Sequence, residues 1–159
     1  MIEIVIVLVV LFIVSAVVMS RYTATGTHEL MAETDALKSS LRFAQIQSLN
    51  DDTITSSAAG WGIHIPNDTS YTLYKNGFPA VDKNGLPLMI PVKDPDPVKD
   101  PPPKNTHSLQ GNVRITSGVG TTVAFDRWGS PGTATISITL QRGAENSTIT
   151  ITRNTGFIP

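Results

Sequence analysis

The sequence contains no cysteine and is poor in charged residues. The missing cysteines exclude disulfide frameworks, thiol catalysis and cysteine-ligated zinc sites. Only 16% of the 159 residues are charged, below the roughly 25% that is usual in soluble domains. The 12 basic and 13 acidic residues leave a net charge of −1, which excludes the basic footprint of a nucleic-acid-binding protein and an acidic tail. The length suits one domain, or one domain with an appendage.

Motifs of common enzymes are also missing. The only histidines are His28, His64 and His107. They are far apart in sequence, and neither an H-E-x-x-H, a P-loop nor a G-x-S-x-G motif is present. Asp126 and Arg127, beside Trp128, favour a turn ion pair over a catalytic dyad. We therefore expect no enzymatic activity, no catalytic residues, no cofactor and no metal site.

The first 19 residues form a long apolar run, MIEIVIVLVVLFIVSAVVM. As a helix, this run would measure roughly 28 Å, close to the hydrocarbon thickness of a bilayer. A cleaved signal peptide normally has a basic start and a small-residue cleavage site, whereas this segment has an acid near its start and its first base, Arg21, after it. Two other interpretations stay open: a plain transmembrane anchor, and a helix that leaves the membrane to pack into a protein polymer.

Glu3 is the only charge in this run, and it bears on that choice. A carboxylate costs about 2.5–3.5 kcal/mol at mid-bilayer and less near a helix end, so an anchor tolerates it without using it. Inside a bundle of copies the carboxylate needs a cationic partner, because an unpaired buried charge is very costly. The nearest candidate is the α-amino group of a neighbouring copy, at Met1.

This beginning resembles the mature N-terminus of type IV pilins and type II secretion pseudopilins. The matching positions are Ile2, Glu3, Ile4, Val5, Ile6 and Val7. Members of the family carry four residues before the glutamate, the first an N-methylated phenylalanine, whereas this sequence has two. The resemblance implies subunit assembly through the apolar helix, with these residues at the contacts: Met1, Glu3, Ile4, Ile6, Leu8 and Phe12.

Residues 20–29 are poor in helix formers. The segment contains Thr23, Thr25, Gly26 and Thr27, and glycine alone costs about 1 kcal/mol relative to alanine in a helix. This stretch is predicted to be either a loosened, melted section of one long helix, as pilin filaments have, or an ordinary loop at the membrane exit.

A helical pattern returns over residues 29–49. Its apolar residues Leu30, Leu37, Leu41 and Ala44 share one stripe. Further apolar residues lie off the stripe: Met31, Phe43, Ile46 and Leu49. Such a helix is predicted to bury one face against its own domain and to offer the other to a filament interior, unless it simply has one broad core face. Residues 1–28 thus form the hydrophobic helix and residues 29–52 its amphipathic continuation.

Residues 53–159 are predicted to form an antiparallel β domain. Trp61–Ile65 and Ser70–Lys75 suggest a hairpin around Pro66–Asp68. Further strands are predicted at residues 112–116 and 121–125, on either side of Gly118 and Gly120, and at 134–140 and 148–152, where apolar residues alternate with threonine or serine. The turn of the last pair is placed at residues 142–146. A helix followed by strands indicates the α+β class.

Two stretches refine the resemblance. The first stretch resembles the C-terminal domain of H-type minor pseudopilins and FimT-like pilins. It consists of Phe125–Gly129, Pro131, Gly132 and the two alternating strands that follow. The second stretch, the helical segment 37–49, also resembles that group. Residues 86–105 lie outside the resemblance and hold seven of the eleven prolines. They are predicted to form an irregular exposed loop, whose exposed positions include Pro95, Pro97, Pro101, Pro102 and Pro103.

Three functions follow as expectations. The first is a structural subunit of a type IV pilus-like filament, with the β domain as its outer shell. The others are a minor pseudopilin in a periplasmic secretion pseudopilus and a membrane-anchored β domain that binds a ligand. The resemblance implies a homo-oligomeric helical filament, a prepilin peptidase and an inner-membrane assembly machinery as partners. It also implies residence in a bacterial inner membrane before assembly at the cell surface.

Overall fold

A computed structural model describes residues 2–54, 60–81, 85–88 and 105–159, and within the N-terminal helix it describes the side chains of residues 3–16 and 27–49. One helix and eight strands are present in the described residues. They are α1 (Ile2–Leu49), β1 (Trp61–Asn67), β2 (Ser70–Lys75), β3 (Phe78–Pro79), β4 (Thr106–Ser108), β5 (Arg114–Ser117), β6 (Thr122–Phe125), β7 (Ile136–Arg142) and β8 (Glu145–Ile151).

The strands form two antiparallel sheets. The first has the order β3-β2-β1-β6, with β4 also pairing with β2, and the second has the order β5-β7-β8. The predicted α+β class is confirmed by this combination of helix and antiparallel sheets.

One face of α1 packs on the inner faces of the sheets. The predicted stripe of Leu30, Leu37, Leu41 and Ala44 is buried to 3% exposure or less. It meets core side chains that alternate along the strands, as a half-buried antiparallel sheet requires. Those side chains include Ile63, Leu73, Val123, Phe125, Ile138, Leu140, Ile149 and Ile151. The apolar period of 3.6 in the helix and of 2 in the strands therefore describes the same core.

The residues predicted to lie off the stripe are largely outside this core. Met31, Ile46 and Leu49 are each more than half exposed, while Phe43 is partly buried against the core. The helix is thus apolar on a second face that its own domain leaves open.

Most predicted strands are present, with shifted turns. The first hairpin turns at Asp68 and Thr69, because β1 continues through Pro66 and Asn67. The last turn was predicted over residues 142–146 but holds only Gly143 and Ala144, since Arg142 pairs with Glu145 in the ladder. The short strands β3 and β4 were not predicted, because two- and three-residue strands carry too little alternation to be recognised.

The β5–β6 connection passes from one sheet to the other. Gly118 and Gly120 have positive φ angles of 97° and 76°, the region that glycine enters without steric cost. β5 and β6 follow each other in the chain but belong to different sheets. The alternation of apolar residues along a strand does not show which sheet the strand joins.

Two predicted segments are only partly described. Residues 23–27 lie within the bounds of α1, and of their side chains the structure describes only Thr27, so local melting stays a prediction. Most of the proline-rich segment, including Pro95, Pro97 and Pro101–Pro103, lies outside the described residues. At its edges Leu88 donates a backbone hydrogen bond to Ala80, and β4 begins at Thr106.

Candidate assembly surface

The N-terminal part of α1 is an apolar helix without cover in the chain itself. We call residues 3–16 the apolar arm. Eleven consecutive side chains, residues 4–14, are between 52% and 78% exposed. Because eleven consecutive residues make three helical turns, the exposed apolar surface surrounds the helix instead of forming one stripe.

The predicted assembly residues lie on this arm. Ile4, Ile6, Leu8 and Phe12 are exposed, Phe12 most of all at 78%, while Met1 lies outside the described residues. The Glu3 side chain is exposed as well, and the ion pairs found among the described residues do not include it. Its predicted pairing with a neighbour's amine stays a prediction.

A polar cluster attaches α1 to the β7–β8 hairpin where the β domain begins. The Thr27 hydroxyl donates to the Glu145 carboxylate at 3.1 Å, and Glu29 forms an ion pair with Arg142 at 2.8 Å. Arg142 Nε also donates to the Gly111 carbonyl. An ion pair and charge-assisted hydrogen bonds therefore fix the hairpin at this end of the domain.

A second, more buried cluster ties α1 to β4. His107 Nε2 lies 2.7 Å from Glu33 Oε2, with both side chains about one-tenth exposed, and the other Glu33 oxygen accepts the Gln110 N–H at 3.0 Å. The His107 ring is 5.0 Å from the ring of Tyr71, whose pKa is raised by burial. Buried polar groups whose hydrogen bonds are satisfied favour a single packing arrangement. This cluster therefore fixes β4 against α1.

The C-terminal end of α1 is held by an acidic residue just after it. The Asp51 carboxylate pairs with Lys75 at 2.6 Å, accepts the Trp61 Nε1–H at 2.9 Å and accepts the Thr53 hydroxyl at 2.6 Å. These donors, Lys75 first, hold the pKa of the Asp51 carboxyl well below its usual range. The helix end is therefore fixed to β1 and β2.

Gln45 fastens two C-terminal loops to the last turns of α1. Its amide Nε2 donates to the carbonyls of Gly129 at 2.8 Å, Gly156 at 3.2 Å and Thr155 at 3.4 Å. The loops touch each other, since a Cβ on Gly156 would lie 2.0 Å from the Gly129 carbonyl oxygen. Both glycines also have positive φ, so neither position accepts a side chain without strain.

These loops display aromatic side chains beside the exposed face of α1. Trp128 is 71% exposed and Phe157 64% exposed, and on the helix Ile46 and Leu49 are 53% and 52% exposed. Leu49 and Trp128 line one cleft, while Ile46 and Phe157 line another. We call these four residues the aromatic patch.

Asp126 has a different role from the predicted one. Its carboxylate accepts the backbone N–H groups of Trp128 and Ser130, each at 2.9 Å, and no Asp126–Arg127 ion pair is present among the described residues. Arg127 instead lies over the Trp128 ring, 4.6 Å from its centroid, a cation–π arrangement. The predicted turn is correct, but the predicted ion pair is wrong, because the Arg127 guanidinium lies over the Trp128 ring.

The sequence analysis missed the aromatic patch as a unit. Its helical residues, Ile46 and Leu49, were recognised as lying off the core stripe, but Phe157 and the anchoring residue Gln45 were not singled out. Gln45 acts on carbonyls 84 to 111 residues later in the chain, and a lone glutamine gives no sequence signal for this. The one cue in the sequence is Trp128, which stands directly before a Gly-Ser-Pro-Gly turn.

Two classes of site are not found in the described part of the chain. No three metal-ligating side chains cluster among the described residues in a way that could hold an ion. No described helical segment is both long enough and apolar enough to cross a membrane.

Comparison with known proteins gave no match: no family model, no curated protein and no solved structure is significantly similar to this chain.

Proposed function

We propose that the chain is a structural subunit of a type IV pilus-like filament and polymerises through its N-terminal helix. The single observation that carries the proposal is the apolar arm, whose eleven consecutive apolar side chains are all more than half exposed. Such a surface requires lipid or other protein around it, because large exposed apolar areas are rare in monomeric soluble proteins.

The fold supports a polymer over a simple anchor. α1 has bounds Ile2–Leu49, and its second half is apolar on two faces, one buried in the β domain and one open. Anchoring in a membrane does not by itself require an open apolar face next to the folded domain. A subunit whose helix packs among other helices uses both the arm and this face, in the long-helix arrangement of the pilin fold.

The energetics of assembly follow from the arm's surroundings. Moving the arm from water into a bundle would gain about 25 cal/mol per Å² of apolar surface, but moving it from lipid gains less, through packing and charge pairing. Glu3 is therefore the residue that distinguishes bundle from bilayer. In the bundle it pairs with a cation of a neighbouring copy, whereas near a bilayer surface it remains solvated.

The test removes the carboxylate and compares two readouts. In cells that make the protein, Glu3→Ala is expected to reduce the yield of surface fibres by at least about tenfold, the cost of one unpaired buried charge being several kcal/mol. The membrane-bound fraction of unassembled protein should stay unchanged. Ser15→Ala, which alters the other polar residue of the segment, serves as the matched control and should leave both readouts unchanged.

Electron microscopy of purified fibres, at a resolution that identifies side chains, separates the alternatives. Long surface fibres built of this chain support the pilus subunit. Short periplasmic assemblies that contain it as a minor component indicate the pseudopilin instead. A normal fibre yield from Glu3→Ala contradicts the pairing of Glu3 in the bundle, and a wild-type protein that stays monomeric in the membrane contradicts the polymer.

A further inference from the structure

We propose that the aromatic patch, formed by Ile46, Leu49, Trp128 and Phe157, is the acceptor that binds the apolar arm of a second copy of this chain. The inference rests on the proposed function and deepens it by naming where on the β domain the incoming arm docks. An open-ended polymer needs two different complementary surfaces on each subunit, because only a heterologous contact propagates. The arm supplies one surface, and the patch supplies the other.

The patch is built for binding because its aromatic side chains stand on fixed loops. Gln45 holds the main chain directly after Trp128 and directly before Phe157, and Arg42 Nη2 donates to the Ile158 carbonyl at 3.0 Å. Asp126 fixes the turn that carries Trp128. Rigid display lowers the entropy cost of association, and exposed aromatic residues in such positions are typical of interface hot spots.

The charges of the two surfaces are complementary. Arg42 lines the cleft beside Ile46 and Phe157, and Arg127 lines the cleft beside Trp128. Arg127 shares its cleft with two acids, Asp51 and Asp52, and Asp51 is paired with Lys75. The uncompensated positive charge therefore lies at the other cleft, where Arg42 is present and the described lining includes no acid.

The arm fits this surface better than a second patch does. Its side chains are apolar apart from Ser15 and the single acid Glu3, so an arm brings one carboxylate to a surface on which Arg42 has no acid beside it in the described cleft lining. Two patches facing each other would place the arginines of both copies together, which disfavours the contact. Such a contact would also close into a dimer instead of propagating.

The absence of cysteine makes disulfide trapping unambiguous. Differently tagged full-length chains, one carrying Phe12→Cys and the other Phe157→Cys, are assembled together and oxidised mildly. Because a disulfide requires Cα atoms within about 7 Å, the mixed disulfide of the two tags is expected as a major product. Thr148→Cys, exposed on the outer face of β8, replaces Phe157→Cys in the control mixture and should give little of it. Equal mixed product from the control, or none from Phe157→Cys, overturns the inference.

A second measurement compares fibre yield. Trp128→Ala combined with Phe157→Ala is expected to reduce fibre yield by at least about tenfold, since truncating hot-spot aromatics costs more than 1 kcal/mol each. The unfolding midpoint should be unchanged because both side chains are exposed. Phe78→Ala, a 73% exposed aromatic residue on β3, is the matched control and should assemble normally.

The outcomes separate the two proposals. Wild-type fibre yield from the double variant, together with a loss of fibres in Glu3→Ala, overturns the acceptor patch and leaves the filament function standing. A wild-type chain that forms no polymer under any native condition overturns both. Loss of fibres in the double variant, with normal assembly of Phe78→Ala and a mixed disulfide at the patch, supports both.

Discussion

Individual polar residues help to fix where the elements of this molecule lie relative to each other. Glu33 meets His107 across 74 positions of sequence, and Gln45 meets Gly156 across 111. Each such residue has partly or wholly buried partners, so it is satisfied in only one packing arrangement. Polar residues of this kind look ordinary in the sequence, since glutamine and glutamate are common on exposed helix faces.

Asp51 provides a test at this scale. Asp51→Asn is expected to lower the free energy of unfolding by about 1–3 kcal/mol at pH 7, because it weakens hydrogen bonds made to a charged group. The folded-state pKa of the wild-type carboxyl lies below its unfolded value of about 3.9, so its contribution is complete above that value and is lost as the pH falls through the folded pKa.

Denaturant unfolding of wild type and Asp51→Asn between pH 7 and pH 2 checks this expectation. The difference between the two proteins should shrink as the solution becomes more acidic. Asp52→Asn, at the exposed neighbouring position, should follow the wild type throughout. A difference that stays constant across this range would show that the charge of Asp51 is not what stabilises the helix end.

At the scale of elements, α1 has two apolar faces, one buried and one open. The stripe with Leu41 is buried against the sheets, and the face with Ile46 is open. The sequence pattern predicted both faces, because helical period and apolar residues suffice to divide a helix surface. It did not identify the loops that extend the open face, since these come from residues 126–130 and 152–158 at the far end of the chain.

Two alanine substitutions, one on each face of α1, test whether the faces have different roles. Leu41→Ala is expected to lower the free energy of unfolding by about 2–5 kcal/mol, as deletions from a packed core do. Ile46→Ala should lower it by no more than about 0.5 kcal/mol, while reducing assembly. Thermal or denaturant unfolding, with fibre yield measured in parallel, checks both. A large loss of stability in Ile46→Ala would mean that this face is part of the domain's own core.

At the scale of the whole molecule, a well-packed β domain is joined to an arm that the chain leaves uncovered. The domain has a buried core that includes Leu41, Tyr71 and Phe125, whereas the side chains of the arm are exposed. The part of the sequence that forms the folded core is therefore different from the part to which we assign the proposed assembly.

The arm predicts association of the full chain in water. Without lipid or detergent, the purified protein is expected to form large assemblies in sedimentation experiments, and mild detergent should disperse them. Replacing Leu8 and Phe12 together, by Leu8→Asp and Phe12→Asp, should give a monomer whose near-ultraviolet circular dichroism matches that of the detergent-dispersed wild type. Matched replacements at Ser137→Asp and Asn146→Asp, two exposed positions of the second sheet that are not cross-strand partners, should leave the wild-type assemblies intact. Monomeric wild-type protein in plain buffer would contradict this account of the arm.

The amino-acid sequence by itself determined the apolar arm, the buried stripe of α1, the α+β class and most of the strands, because these depend on periodicity and composition over short stretches. The tertiary structure decided the division of β5 and β6 between two sheets, the anchoring of the loops by Gln45 and the meeting of Trp128 and Phe157 beside Ile46 and Leu49. These features depend on contacts between residues far apart in sequence, such as Trp61 with Phe125 in the first sheet and Gln45 with Gly156. Long-range contacts are set by the packing of the complete core, so they cannot be predicted from the pattern of residues within a short stretch of sequence.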